Sequence, residues 1–237
     1  PFVERFNPDY LPGWVHKDIC LRLEKFSQDV NDRKSPRLML FMPPRHGKST
    51  LASVAFPAWH LGKNPEHEFI SCSYSGSLAM NFSRKVRQQL REPNFKNVFS
   101  GVSLDPSSQS VESWNTTKGG GYVAAGVGGG ITGKGAHVLV IDDPVKNRED
   151  AESEYNRDAV WDWYTSTAYT RLAPGGGVLV ILTRWHDDDL AGRLLQAAAA
   201  GADQWEVVKY PALAEKDEEF REKGDALHPE RYSAEAL

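Results

Sequence analysis

Residues 37–50 read RLMLFMPPRHGKST, and this stretch decides the fold class. The apolar run at 38–42 predicts a short buried strand, which the two following prolines end. Gly47, Lys48 and Ser49 come next, at the start of a helical pattern. A strand, a tight turn and a helix N-terminus with Gly-Lys-Ser form a phosphate cradle, because backbone N–H groups and the helix dipole face the anion.

This cradle predicts roles for individual side chains. Lys48 is expected to neutralise the β- and γ-phosphates of ATP, and the Ser49 hydroxyl is expected to bind Mg²⁺. The other residues expected to contact the nucleotide here are Pro44, Arg45, His46, Gly47 and Thr50. The strict P-loop pattern begins with glycine, whereas Met42 stands at that position. Taken alone, the string therefore also fits a polar turn between a strand and a helix.

The composition limits the class of protein. The chain has 237 residues, enough for one large α/β domain, and 40% of them are apolar and 25% charged, as in ordinary globular proteins. Its net charge of −4 predicts no general attraction to nucleic acid, so a DNA contact requires a local patch. Two cysteines indicate neither a metal cluster nor a disulfide framework, which favours a reducing compartment. No transmembrane run or signal peptide is visible.

Two later apolar runs end in polar residues. Residues 137–143 read HVLVIDD, and residues 178–183 read VLVILT. Both runs predict buried strands; Asp142 and Asp143 close the first, and Thr183 closes the second. The alternation of strands and helices predicts a parallel sheet, in which the carboxyl ends of strands meet at one ligand-binding edge.

The three strand ends together favour ATP hydrolysis. In a P-loop enzyme Asp142 would hold the Mg²⁺ shell, and Asp143 would orient or deprotonate the attacking water. Thr183 and Arg184 are expected beside the γ-phosphate, in a position to sense it. Taken alone, the carboxylate pair also fits an Asp-Asp-Pro turn, and residues 187–189 also fit the acidic first turn of a helix.

The N-terminal region offers a candidate for adenine binding. Apolar residues at helical spacing predict a helix over 16–30. Trp14 and His16, at its start, could pack on an adenine ring, but they equally suit a hydrophobic contact that caps the helix.

A second predicted helix follows Ser75, and it carries three cations on the face away from the core. Arg84, Arg87 and Arg91 are candidates for contact with a nucleic-acid backbone, or they form a solvated face. The other predicted elements are strands over 68–74, 110–114, 121–125 and 205–210, a helix over 152–165 with Tyr155, Ala159 and Trp163 on one face, a turn at 175–177 and an exposed helix with linker beyond Pro211.

The motifs MPPRHGKST, GVGGGITGKGAHVLVIDDPVKN, DWYTST and LTRWHDDDLAGRLL resemble the large terminase subunit of tailed bacteriophages. The resemblance runs from about residue 14 to residue 195, with the motifs in the family's order and spacing. It implies an α/β P-loop NTPase of the ASCE, RecA-like class, with three layers and a mainly parallel central sheet. A non-glycine first P-loop residue, here Met42, fits this family.

The resemblance also implies site residues. The family's P-loop lysine and hydroxyl correspond to Lys48 and Ser49, its additional P-loop arginine to Arg45, and its Walker B pair to Asp142 and Asp143. The coupling motif corresponds to Thr183, Arg184 and Trp185. The basic residue that acts as an arginine finger on the neighbouring subunit corresponds to Lys134, which lacks the planar fork of arginine.

The resemblance further implies partners and domains. Residues 1–210, with the helical segment 1–36, are predicted to form the ATPase domain, and 211–237 a linker toward an RNase H-like nuclease domain that this chain lacks. The expected partners are double-stranded viral DNA, the portal protein, the small terminase subunit and further copies in a pentamer-like ring. The expected location is the host cytoplasm, with no membrane contact. The alternatives are a helicase-like DNA-dependent ATPase and a ring-forming module that binds nucleotide without hydrolysing it.

Overall fold

The computed structural model describes residues 2–131 and 133–237. Pro1, at the start of the predicted ATPase domain, and Thr132, in the glycine-rich motif that precedes Asp142, lie outside the described residues. The strands are β1 (Arg37–Phe41), β2 (Glu68–Ser73), β3 (Leu104–Gln109), β4 (Ser113–Thr116), β5 (Gly121–Gly126), β6 (Ala136–Asp142), β7 (Leu172–Leu182) and β8 (Glu206–Lys209). The α-helices are α1 (Phe2–Phe6), α2 (Trp14–Asn31), α3 (Phe56–Lys63), α4 (Gly76–Arg91), α5 (Pro93–Val98), α6 (Arg148–Glu152), α7 (Glu154–Trp163) and α8 (Leu190–Ala199).

The strands form one mainly parallel sheet in the order β3-β4-β5-β2-β6-β7-β1-β8. From β5 to β8 every neighbouring pair is parallel, and only β3 and β4 add to the edge in antiparallel fashion. Strand β7 lies between β1 and β6, so the three predicted polar strand ends are neighbours at one edge. The predicted fold class is confirmed.

Helices cover both faces of the sheet, which gives three layers. On β6, Val138 and Val140 join the core cluster under α2, α3 and α4, whereas Leu139 and Ile141 join the cluster under α7 and α8. All four side chains are fully buried. Strands covered on both faces read as continuous apolar runs, and this explains why the central strands are visible in the sequence.

Two strand predictions need correction. The turn predicted at 175–177 lies inside β7, where the register against β6 shifts between Ala136 and Val138 and Gly175 has φ +85°. The glycines therefore form an irregular bulge in a longer strand, because extra residues on β7, with Gly175 in left-handed conformation, interrupt the ladder without ending it. Strand β3 (sequence LDPSSQ) was not predicted at all, since proline and serine give little strand signal and an edge strand tolerates them.

The helix predicted over 152–165 corresponds to α7 and to the π-helical segment Tyr164–Ala168 that continues it, and a separate short helix, α6, precedes it. Ser153 caps α7 by accepting a hydrogen bond from the Asn156 amide, and α6 ends just before it. Of the three residues predicted to share one face, Trp163 is buried, whereas Ala159 is exposed and Tyr155 is 82% exposed.

The exposed helix predicted beyond Pro211 is absent; within the described ranges that region has only a short 3₁₀ turn at Ala234–Ala236. The segment instead packs back on the N-terminal region, where Phe220 stacks on Trp14 with ring centroids 5.1 Å apart. Leu227 and His228 are buried. Among the residues that the structure covers, no helix is long and apolar enough to cross a membrane.

Candidate active site

The loop between β1 and the next helix, called the phosphate loop below, lines one side of the site. Gly47 has φ +88°, and a Cβ there would lie 2.9 Å from the Tyr10 hydroxyl oxygen and 3.2 Å from His16 Nε2. Both the left-handed backbone and the close packing therefore require glycine. Arg45 is also left-handed, with φ +62°, and its side chain is exposed. The helix begins at Lys48, so the loop presents a helix N-terminus to the cavity.

Lys48 connects the three strand ends. Its buried ammonium lies 2.5 Å from Thr183 Oγ1, 3.0 Å from Asp143 Oδ2 and 3.5 Å from the carbonyl oxygen of Met42. Thr183 directly follows β7, Asp143 follows β6, and Met42 follows β1. The sequence prediction that these ends converge is matched by direct contacts.

Asp143 is held by backbone contacts on both sides. It has φ +45°, its carboxylate Oδ1 accepts a hydrogen bond from the Thr183 amide at 2.9 Å, and its carbonyl accepts one from the Tyr74 amide at 3.2 Å. Its side chain is 31% exposed, so the carboxylate faces the cavity while its direction is fixed. A partly exposed, oriented carboxylate beside a lysine suits the handling of a water molecule.

Asp142 is the buried member of the pair. Burial, and then the adjacent charge of Asp143, raises its pKa to about 6, while the nearby Ser53, Ser49 and Lys48 oppose the rise. Oδ2 accepts a hydrogen bond from the Ser53 hydroxyl at 2.6 Å, whereas Oδ1 is buried and has no hydrogen-bond partner among the described residues. An unpartnered carboxylate oxygen beside the Ser49 hydroxyl is the donor set that Mg²⁺ prefers, so these residues fit the ion.

These groups surround one cavity of about 340 Å³ at the carboxyl edge of the sheet. Its lining consists of Pro44, Arg45, Gly47, Lys48, Ser49, Thr50, Tyr74, Leu78, Phe82, Asp142, Asp143, Val145, Lys146, Thr183 and Trp185. His46 is not among them, since its buried ring contacts Tyr232 behind the loop, with centroids 4.9 Å apart.

A comparison with protein families agrees with this geometry. The family described as "Terminase large subunit, T4likevirus-type, N-terminal" matches residues 39–236, which is most of the chain. The chain belongs to the terminase large-subunit family. No curated protein sequence matches it.

A solved structure of a bacteriophage terminase shares the fold of this terminase chain. The large terminase of bacteriophage HK97 aligns with a TM-score of 0.57 at 18% identity, over 91% of this chain and 44% of its own. The large terminase of a thermophilic bacteriophage aligns with a TM-score of 0.45 at 11% identity, over 76% and 41%. Its complex with ADP gives 0.44 at 11% identity, over 79% and 44%. The terminase chain thus spans less than half the length of these structures.

Thr183 and Arg184, which are predicted together beside the γ-phosphate, make different contacts in the terminase structure. Arg184 Nε binds Asp189 Oδ2 at 2.6 Å, and its Nη2 donates to the carbonyls of His186 and Asp187. Arg184 therefore organises the turn before α8, and only Thr183 of this pair contacts the lysine of the phosphate loop. The predicted position beside the γ-phosphate fits Thr183 and not Arg184.

Trp14 and His16 lie outside the cavity lining. Trp14 stacks on Phe220, and His16 accepts a hydrogen bond from the Gly13 amide through Nδ1. The other His16 nitrogen lies 2.9 Å from the carbonyl oxygen of His46. His16 thus supports the phosphate loop from behind, and the helix-capping alternative describes both residues better than adenine contact.

Lys134 lies at the amino ends of the parallel strands, whereas the chain's own phosphate loop lies at their carboxyl ends. It precedes β6, whose seven residues span roughly 23 Å at the usual rise per residue and end at Asp142. Its ammonium is 2.5 Å from Asn115 Oδ1 on β4. Within one chain, Lys134 is therefore remote from the cavity.

The arginine row on α4 is partly engaged within the terminase chain. Arg87 donates to the carbonyl of Gln109, and Arg91 donates to its side-chain oxygen. Arg84 donates to Asn81 on its own helix. Two of the three cations thus fasten β3 to α4, and contact of this row with DNA stays a prediction.

Several residues of the site were missed in the sequence, among them the cation Lys146 and the hydroxyl of Ser53. Lys146 lines the cavity three residues after Asp143 and has no ion-pair partner among the residues described. The lysine in the string DDPVK was the sequence feature that could have identified it as a site residue. Ser53 was not identifiable, because its contact with Asp142 depends on how the helix turns after the loop.

Proposed function

We propose that this domain hydrolyses ATP and that the hydrolysis drives double-stranded viral DNA into a procapsid. The observation that carries the proposal is the contact of Lys48 with both Asp143 and Thr183 at one cavity, in a chain of the terminase family. The helicase-like and non-hydrolysing alternatives have no specific observation in their favour. The activity is assigned to residues 1–210, with 211–237 leading toward a nuclease domain, in the host cytoplasm.

The proposed reaction is attack of water on the γ-phosphorus of ATP. Asp143 orients the water and accepts one of its protons, the new P–O bond forms, and the bond between the γ-phosphorus and the β–γ bridging oxygen breaks to release ADP. Lys48 neutralises charge on the β- and γ-phosphates. Ser49 and Asp142 would hold Mg²⁺, which supplies further charge neutralisation when bound.

Contacts of Lys48 offer a link between nucleotide and protein. A γ-phosphate at the ammonium competes with Asp143 and Thr183 for the same donor, since all three are oxygen acceptors. Its arrival frees the Asp143 carboxylate for water and changes the bonding at the end of β7. Arg45, exposed at the top of the loop, is expected to contact the phosphates as well.

The ring assembly would supply a cation from outside the subunit. Lys134 is remote from its own cavity, so in this proposal it acts on the nucleotide of the neighbouring copy, although with less effect than the roughly 10³–10⁵ in rate given by an arginine. The portal protein, the small terminase subunit and a pentamer-like ring are the proposed partners.

The test is ATP turnover by the purified chain, alone and with double-stranded DNA and procapsids. We expect slow turnover alone and stimulation by the two together; an absence of turnover in every mixture would refute the proposal. In a second arm, Lys134→Ala subunits are mixed with Lys48→Ala subunits. Recovered activity supports action in trans, and no recovery in rings shown to be mixed would confine Lys134 to a role within its own chain.

A further inference from the structure

The helix after the phosphate loop contains one wide turn. Residues Thr50–Ala55 are π-helical, and the Phe56 amide donates to the carbonyl of Leu51, five residues earlier. Pro57 has no N–H for the carbonyl of Ser53, four residues earlier, so a regular α-helical ladder cannot continue there. Single π-helical turns inside helices change the direction of their side chains and are frequent at functional sites.

Ser53 lies in this turn and points at Asp142. It is fully buried, and its hydroxyl donates to Asp142 Oδ2 at 2.6 Å. The other carboxylate oxygen, Oδ1, is also buried but has no hydrogen-bond partner in the described part of the chain. A hydroxyl carries one proton, so this bond occupies one defined oxygen and fixes the carboxylate plane.

A second serine beside Asp142 shows that this contact is specific. Ser73 on β2 is directly paired with Asp142 in the sheet register, and it is as fully buried as Ser53. Its hydroxyl nevertheless has no hydrogen-bond partner among the described residues. Burial of a hydroxyl next to Asp142 is therefore not sufficient for a hydrogen bond to its carboxylate. The π-helical turn accounts for the direction of the Ser53 hydroxyl.

We infer that Ser53 is a positioning residue that holds Asp142 through Oδ2, so that Oδ1 is presented to the Mg²⁺ of the bound nucleotide. This inference rests on the proposed nucleotide site. Partners that hold a metal-binding carboxylate cost about 10- to 100-fold in metal affinity when they are removed. Ser53 is not part of the cavity lining, so its loss is expected to change the Mg²⁺ requirement and to leave metal-free nucleotide contacts in place.

The experiment measures binding of a fluorescent, non-hydrolysed ATP analogue while Mg²⁺ is titrated. For Ser53→Ala we expect the half-saturating Mg²⁺ concentration to rise about 10-fold, with unchanged binding in EDTA. Ser53→Cys, of similar size but with a weaker donor, should shift it in the same direction by a smaller factor. Ser73→Ala is the matched control, since it removes a buried hydroxyl without this bond, and it should stay within about two-fold of the wild type.

The outcomes separate this inference from the proposed function. An unchanged Mg²⁺ midpoint in both Ser53 variants, or an equal shift in Ser73→Ala, would overturn the role of Ser53 while leaving the nucleotide site intact. Absence of Mg²⁺-dependent binding in the wild-type chain would overturn the proposed function and this inference together. Equal loss of binding with and without Mg²⁺ would make Ser53 a structural residue only.

Discussion

Ionisable groups are buried at both ends of the parallel strands, here called the carboxyl edge and the amino edge of the sheet. The groups at the carboxyl edge include a pair of opposite charges, whereas those at the amino edge are neutral histidines. At the carboxyl edge the ammonium of Lys48 is paired with Asp143 and contacts Thr183, and the group opens onto a cavity. At the amino edge the rings of His67 and His137 stack 4.3 Å apart, and His60 lies within hydrogen-bond distance of His67.

The pKa values follow this division. Burial lowers the pKa of His60 to about 3 and that of His67 to about 4, so these rings are neutral at pH 7. At the other edge, burial and Asp143 raise the pKa of Asp142 to about 6. The comparison teaches which buried ionisable cluster is the candidate reaction site in this molecule: the one whose opposite charges are paired beside the cavity, and not the neutral histidine cluster, which does not line it.

The largest expected effect separates the edges by activity. Replacing Lys48 by alanine removes a contact that strengthens in the transition state, so kcat for ATP should fall on the order of 10² or more. His60→Gln, at the amino edge, is the matched change to a buried polar residue and should leave kcat near the wild-type value. Circular dichroism checks that both variants fold. Turnover near wild type in the lysine variant would remove the ATP site from the carboxyl edge.

The next test divides the carboxyl edge itself. Asp142→Asn should weaken Mg²⁺-dependent nucleotide binding, because Asp142 is the member with an unpartnered buried oxygen among the described residues. Asp143→Asn should keep that binding and reduce turnover by on the order of 10² or more, because it removes the group proposed to orient the water. Equal loss of nucleotide binding in both variants, measured by fluorescence titration, would contradict this division.

The groups at the two edges should change the free energy of unfolding in opposite directions as pH falls. Below about pH 6.5 the unfolded chain protonates His60 and His67 while the folded chain does not, so the free energy of unfolding falls as pH falls toward about 4. Asp142 acts in reverse between about pH 6 and 4, because the folded chain takes up that proton first. One fully shifted group contributes a slope of about 1.4 kcal/mol per pH unit.

Urea unfolding in EDTA at about pH 7, 6 and 5 measures these slopes. His60→Gln should lose stability less steeply than the wild type as pH falls, and Asp142→Asn should lose it more steeply. Partial exposure of His67 reduces its share relative to His60. Parallel curves for all three proteins would show that neither group titrates differently in the folded and unfolded chains.

The smallest expected effect concerns Lys146. This exposed cation lines the cavity, so Lys146→Ala should weaken a triphosphate analogue by up to about 5-fold, the range of a solvent-exposed charge pair. Binding of ADP should change less, provided that the lysine faces the terminal phosphate. Lys118→Ala, an exposed turn lysine remote from the cavity lining, serves as control. An equal loss for both nucleotides in calorimetry would place the lysine elsewhere along the phosphate chain.

The carboxyl edge was largely predictable, because each of its parts is local in sequence. An apolar run followed by a polar residue defines a strand end, and the parallel topology then brings Lys48, Asp143 and Thr183 to one edge. The histidine cluster was not predictable. His60 lies on α3, His67 in the loop before β2 and His137 on β6, with no shared pattern in the sequence. Only the tertiary contacts of His67 with the other two rings bring them together.

Other misses have the same origin in tertiary contacts. The role of Arg184 in the turn before α8 depends on Asp189, and the position of Lys134 depends on Asn115 from another strand. Glycines at 175–177 are typical of a turn, and only their pairing with β6 shows a bulge. The contact of Ser53 with Asp142 could not be predicted without knowledge of the π-helical turn.

The packing of the last residues behind the phosphate loop has a consequence for the order of folding. Tyr232 meets His46, His228 meets His16, and Tyr210 donates to Asp18 across 192 positions of sequence. These contacts form only after residues 210–232 have been synthesised, and contacts so distant in sequence form slowly. The phosphate loop is therefore synthesised well before residues 228 and 232, which support it from behind, and it lacks these contacts until that segment joins it.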